Sequence, residues 1–178
     1  EFLPNTPVQE LCPPAIYNSD VFRRVSFKQE GKLTWDELAS RLNGCNQVLC
    51  IVNTRKSARA IWGKLEPEGA YHLSTLMYPA HRRAVLEEIR SRLKNGLPCR
   101  VVSTSLIEAG VDVDFPAVFR EEAGLDSILQ AAGRCNREGK RPAAESVVTI
   151  FRGEDAPPPL FSLPIAAGRQ TISKFEEL

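Results

Sequence analysis

The sequence predicts an α/β fold, a parallel sheet with helices on both faces. Short continuous apolar runs at 47–52 and 146–151 lack the in-out alternation of a strand with one wet face, as strands buried on both sides do. Between such runs lie segments with helical start and stop signals, and strands alternating with helices close into a parallel, covered sheet. A third observation concerns function. The run 100–103 opens into small, hydroxyl and acidic residues, and open α/β sheets bind ligands outside the carboxyl ends of their strands.

Taken in order, residues 1–19 hold four of the thirteen prolines and read as a linker or an arm on a neighbour, bounded at residue 22. Residues 24–29 alternate with period two, as an edge strand does. Thr34 followed by Glu37 is a capping box that opens a short helix through Leu42. The Asp36-Glu37 pair superficially suggests the acidic magnesium motif of nucleotide hydrolases. It stands at a helix start with no apolar strand before it, and capping accounts for it. After the strand at 47–52, Asn53 or Thr54 caps a helix through Leu65. Strand, polar turn and helix in that order present N–H groups and a positive dipole end to a phosphate. Asn53, Thr54 and Arg55 are therefore candidates for a nucleic-acid backbone, although ordinary capping explains the first two equally well.

A short strand begins at 71–74, and Pro79 opens the next helix, proline being favoured in a first turn. Val85, Ile89 and Leu93 form its core stripe, and Arg82, Arg83, Arg90, Arg92 and Lys94 its charged remainder. Among these Arg82 is the candidate for a functional contact, together with His72, Ser74 and Thr75 at the preceding strand end. Asn95-Gly96 ends the helix. Further strands follow at 100–103, at Val118-Phe119 and at 146–151, with Gly124-Leu125-Asp126 leading into a helix between the last two. The body of the domain is 23–153. Residues 154–178, with Pro157-Pro158-Pro159 and a helix expected at 169–178, form a linker or docking surface outside the sheet.

Composition narrows the classes. At 178 residues and 43% hydrophobic, the chain suits one domain with a proper core and short extensions. No run approaches the roughly 20 apolar residues of a membrane span, and Glu1-Phe2-Leu3-Pro4 is no signal peptide, so a cytoplasmic protein without a membrane partner is expected. Five scattered cysteines without a C-x-x-C pair read as reduced thiols, and no metal site is expected. The net charge of +1 means that any nucleic-acid contact must be local.

The most informative octapeptide is Gln-Ala-Ala-Gly-Arg-Cys-Asn-Arg at 130–137. On a continuous helix Gln130, Arg134 and Arg137 share one face, while Ile128, Ala132 and Cys135 form the opposite, apolar face. One side is built to bury. The other aims two guanidiniums and a carboxamide outward.

Together, the blocks at 48–54, 72–75, 103–112 and 130–137 resemble the second motor domain of a superfamily 2 helicase. The last block matches the signature Q-x-x-G-R-x-x-R, and the third matches T-x-x-x-x-x-G-x-D at Thr104, Gly110 and Asp112. More closely, Ser-Leu-Ile-Glu-Ala-Gly-Val-Asp-Val-Asp-Phe, Gln-Ala-Ala-Gly-Arg-Cys-Asn-Arg-Glu-Gly and Pro-Ala-His-Arg-Arg at 79–83 resemble the helicase-nuclease of type I CRISPR interference systems. The similarity covers about residues 8–178. It implies a RecA-like sheet of P-loop NTPase type, a DNA strand gripped by its backbone, and ATP and Mg2+ held mainly by an absent first motor domain.

The resemblance also implies roles. Arg137 is the arginine finger, Arg134 its partner at the phosphates or the domain interface, and Gln130 orients the attacking water or the γ-phosphate. Gly133 permits close backbone approach. Asp112 binds the ribose hydroxyl of ATP or holds an arginine of the 130–137 block, with Gly110 making the turn. Thr104 and Ser105 reach DNA phosphates, and Glu108 supports the loop or lines the track. One loop touching both DNA and nucleotide would let turnover change the grip on the strand. The implied partners are single-stranded DNA, the first RecA-like domain, an HD nuclease domain of the same parent protein and a CRISPR surveillance complex.

The sequence has no G-x-x-x-x-G-K-[ST] phosphate loop and no His-Asp dipeptide. It is therefore expected to be half a motor, with negligible ATPase or nuclease activity alone. Two other readings stay open: a motor-like fold kept as a non-hydrolysing nucleic-acid or protein binding module, and a superfamily 2 translocase unrelated to CRISPR.

Overall fold

The structure is a computed structural model and describes residues 11–13, 16, 23–107 and 111–174, with side chains to residue 172. Most of the expected arm at 1–22, the positions of Glu108 and Gly110, and residues 175–178 lie outside the described residues. The elements are β1 (Ser26–Lys32), α1 (Trp35–Asn43), β2 (Gln47–Ile51), α2 (Arg55–Trp62), β3 (Ala70–Leu73), α3 (Pro79–Lys94), β4 (Cys99–Ser103), β5 (Ala117–Glu121), α4 (Leu125–Ala132), β6 (Val147–Arg152) and α5 (Pro159–Lys174). Short 3-10 turns occur at Ser105–Ile107 and Ala143–Glu145.

Among the described residues the strands form one six-stranded sheet of order β1-β6-β5-β2-β4-β3, parallel throughout. The apolar runs form its centre, as their lack of alternation requires. In β2, Leu49 and Ile51 face a core shared with Leu86 and Ile89 of α3 and Ala131 and Ala132 of α4. Val48 and Cys50 face the opposite core, with Leu38 and Leu42 of α1 and Ala58 and Ile61 of α2. This is the RecA-like arrangement that the resemblance implied.

Local chemistry sets the helix ends. The Thr34 hydroxyl accepts the Glu37 N–H at 3.2 Å, and the Glu37 carboxylate accepts the Thr34 N–H at 2.8 Å. Asp36 meets Lys64 at 2.6 Å. Thr54, not Asn53, caps α2, accepting the Ser57 N–H at 3.0 Å. Pro79 takes the first position of α3, and Gly96, at φ +68°, closes it.

Three expectations change besides the end of α2, which comes at Trp62 and not at Leu65. The helix carrying Gln130 stops at Ala132, so Arg134 and Arg137 do not share a helical face with it. The N–H groups of Arg134 and Cys135 turn to carbonyls three residues back, Ala131 and Ala132, at 2.9 Å each. The chain then pairs with Phe115: Phe115 N–H reaches the Arg134 carbonyl at 2.9 Å, and Asn136 N–H reaches the Phe115 carbonyl at 3.0 Å. Glycine at 133 weakens the helix where this strand-like pairing competes. Ile128, Ala132 and Cys135 are buried all the same, as their spacing predicts.

Second, the terminal helix starts at Pro159, ten residues ahead of its expected position, because the last proline of the run stands in a first turn where no N–H is needed. It packs closely. Ile165 is buried, and a Cβ on Gly168 would lie 3.0 Å from the Ala123 carbonyl. Third, the edge strand starts at Ser26, two residues late, and continues to Lys32 through an irregular register beside Gly31.

Candidate functional site

β4 and β5 are parallel, so residues 104–116 must return from the carboxyl edge of the sheet to its amino edge. Among the described residues this crossover carries only the turn Ser105–Ile107. It divides the candidates into two groups.

The amino-edge group surrounds the 130–137 block. Asp112 forms an ion pair with Arg137, Oδ1 to Nε 2.7 Å. The two side chains are 79% and 44% exposed, so the pair orients more than it stabilises, contributing about 0–1 kcal/mol at most. Of the two alternatives for Asp112, holding an arginine matches this geometry. Arg90 Nε donates to the Asp112 carbonyl at 2.9 Å. Arg134 is half-buried. Burial first, then the Arg137 charge, pulls it below the ordinary arginine range, against Asp112. Gln130 is exposed near the end of α4, beside the exposed Leu129. Gly133 has ordinary helical dihedrals, and a Cβ there would stand 3.3 Å from the Gln130 carbonyl.

The carboxyl-edge group collects the polar strand ends. The register aligns Ile51, Ser103 and Leu73 across β2, β4 and β3. Thr54, Thr104 and Ser74 therefore follow three neighbouring strand ends on one side of the sheet. Thr54 is half-buried, whereas Arg55, Thr75 and Ser105 are exposed. Ser74 and Thr104 are buried, and the Ser74 hydroxyl accepts the Leu76 N–H at 3.3 Å. Arg82 is half-buried in the first turn of α3, its N–H on the Tyr78 carbonyl. His72 stacks on Trp62 with ring centroids 5.9 Å apart, and burial, then Arg59, lowers its pKa. Among the described residues Arg55 and Arg59 form no ion pair, while Lys56 meets Asp155 at 3.2 Å.

Asn53 stands apart from this group. Its N–H donates to Glu121 Oε2 at 2.7 Å, its Nδ2 to the Glu122 carbonyl at 2.9 Å, and its Oδ1 accepts from Arg120 Nη1 at 2.9 Å. The whole carboxamide is committed inward, so its geometry is that of a clamp on the end of β5.

A family model described as "CRISPR-associated nuclease/helicase Cas3, C-terminal" matches residues 44–140, more than half of the chain. The chain belongs to this Cas3 C-terminal family. It is 35% identical over 120 residues to the CRISPR-associated nuclease/helicase Cas3 of Haloferax volcanii, covering 64% of this chain and 13% of that protein. To the Cas3 of Methanothermobacter thermautotrophicus it is 27% identical over 116 residues, 64% of this chain and 14% of that one. The chain thus spans a small part of these curated relatives. Its fold is similar to that of T. fusca Cas3 with ATP, with TM-score 0.59 and 18% identity over 85% of this chain and 20% of that one. It is also similar to the C-terminal domain of the DEAD-box protein Dbp5, with TM-score 0.58 and 14% identity over 84% and 87%.

All the described Cas3-family candidates, from Asn53 to Arg137, lie inside the matched span, and α5 lies outside it. Several residues at the amino edge escaped sequence reasoning. Asp114 Oδ1 accepts the Arg137 N–H at 2.8 Å and meets Arg141 Nη1 at 3.2 Å. Asn136 is buried, at φ +45°. The available signals were small: an Asp-Val-Asp alternation at 112–114, and asparagine, a residue that tolerates a left-handed turn, directly before an arginine.

Proposed function

We propose that the chain is the second motor domain of an ATP-dependent DNA helicase or translocase that unwinds or degrades target DNA in type I CRISPR interference. The observation that carries this reading is the amino-edge cluster, in which Arg137 is presented by Asp112 with Arg134 close by, inside a Cas3-family span. Charge develops on the phosphoryl oxygens during γ-phosphate transfer, and a permanently charged guanidinium from outside stabilises it without proton bookkeeping. Arg137 serves as that finger, Arg134 supports it, and Gln130 orients the water or the γ-phosphate. An exposed guanidinium with a half-buried one beside it fits a triphosphate bound across a domain cleft. Mg2+, which accompanies the triphosphate, is assigned with it to the partner domain. Alone, the chain has negligible ATPase activity.

At the carboxyl edge Thr54, Arg55, Ser74, Thr75, Arg82, Thr104 and Ser105 grip a single strand through its phosphates, without base readout. Glu108 and Gly110 keep the roles the resemblance implies. The division into an arm at 1–22, a motor body at 23–153 and a terminal segment at 154–178 is part of the same reading. So are a first RecA-like domain, an HD nuclease domain and a surveillance complex as partners. The test is DNA-stimulated ATP turnover by the complete parent protein. Arg137→Ala should lower kcat by roughly 10³-fold or more, and Arg134→Ala by less. Near wild-type turnover in Arg137→Ala would sink the assignment.

A further inference from the structure

We propose that Asn136 and Asp114 are positioning residues that set the backbone from which Arg137 projects. The inference rests on Arg137 being the finger. Among the described residues Asn136 is the one non-glycine residue with positive φ, +45°. It is 1% exposed, yet its carboxamide is fully used. Nδ2 donates to the Arg24 and Arg141 carbonyls at 2.7 Å each, and Oδ1 accepts the Arg141 N–H at 3.0 Å. A left-handed residue reverses the chain, and asparagine tolerates that conformation better than other side chains do.

The next peptide groups are held as well. Arg137 N–H donates to Asp114 Oδ1 at 2.8 Å, and the Arg137 carbonyl accepts from Arg24 Nη1 at 2.7 Å. Asp114 is only 16% exposed and also meets Arg141 at 3.2 Å. Both Arg137 backbone groups are thus fixed before its side chain begins. Asn136 and Asp114 stand at or beside free positions of the helicase signatures, so the motifs assign them nothing. A guanidinium that must meet a phosphoryl group across a domain gap needs its base held within about 0.5 Å. A misplacement of about 1 Å costs on the order of 10²-fold in rate.

The experiment compares Asn136→Ala, Asn136→Gly, Asp114→Ala and Arg137→Ala in the complete parent protein. It measures DNA-stimulated kcat and KM for ATP, affinity for ADP–aluminium fluoride and for AMP-PNP, and amide hydrogen exchange across 134–141. Asn136→Ala and Asp114→Ala are expected to lower kcat by about 10–100-fold at constant KM, because the interaction acts in the transition state. They should weaken ADP–aluminium fluoride binding, spare AMP-PNP, and speed exchange at 134–141. Asn136→Gly keeps the turn without the carboxamide and should fall between them and the wild type. Adding Asp114→Ala to Arg137→Ala should cost nothing further. If Asn136→Ala does not fold, Asp114→Ala, which removes the acceptor of the Arg137 N–H, decides. Turnover within two-fold of wild type in Asp114→Ala, with Arg137→Ala inactive, overturns the inference and leaves the finger standing. Parallel losses of AMP-PNP affinity and melting temperature reduce these residues to structural support and overturn it too. An active Arg137→Ala removes the finger itself.

Discussion

Glu121 sits at the carboxyl end of β5, 5% exposed, with the Asn53 N–H on its carboxylate. Burial raises its pKa above the usual carboxylate range; the Asn53 hydrogen bond and Arg120 oppose this, and Asp155 and Glu122 add to it. The folded chain therefore holds the Glu121 proton more tightly than the unfolded chain. By linkage, its contribution to stability falls as pH rises from the ordinary glutamate value, about 4.3, through the raised folded value, and is constant above it. Glu121→Gln keeps an acceptor for Asn53 and removes the charge. Its melting temperature should exceed that of the wild type at neutral pH and converge with it below about pH 4. A wild type that gains on the variant as pH rises would contradict this sign.

The turns between elements separate two costs of a side chain. Gly96 and Gly69 both have positive φ, +68° and +70°. A Cβ on Gly96 meets open space, whereas on Gly69 it would stand 2.1 Å from the Pro98 carbonyl oxygen. Gly96→Ala should cost about 1–2 kcal/mol, the left-handed penalty alone. Gly69→Ala adds overlap with fixed backbone, for a total of about 2–5 kcal/mol. Equal losses in urea denaturation would show that the segment at Pro98 yields freely. At this scale the sequence was readable wherever the cause was local. The capping box of α1, Pro79 and Gly96 around α3, and the buried runs of β2, β4 and β6 needed no knowledge of neighbours. The end of α4 did. The spacing of Gln130, Arg134 and Arg137 suits a helix, and only Phe115, fifteen residues upstream, draws the chain out of it. Asn136 and Asp114 escaped for the same reason, since their partners, Arg24 and Arg141, come from distant or irregular segments. At the carboxyl edge Asn53 looked like a cap because its engagement by Arg120 and Glu122 depends on sheet order.

Across the whole molecule the net charge is only +1, so the DNA affinity proposed above would have to come from local groups such as Arg55 and Arg82. In the complete protein Arg55→Ala should weaken single-strand binding alike for different sequences. It should also reduce the slope of log affinity against log salt by about 0.7. Fluorescence anisotropy at several salt concentrations measures this, and an unchanged slope would place Arg55 off the track. The crossover at 104–116 has a mechanical consequence. Thirteen residues can reach about 43 Å when extended, while a five-residue strand such as β4 separates the two edges by about 16 Å. On the described residues either side of its middle, Ile107, Val113 and Phe115 moor it in the same buried layer as α3 and α4. If the two edges hold a DNA strand and a nucleotide as proposed, that shared layer is the packed body through which a displacement at one edge would reach the other.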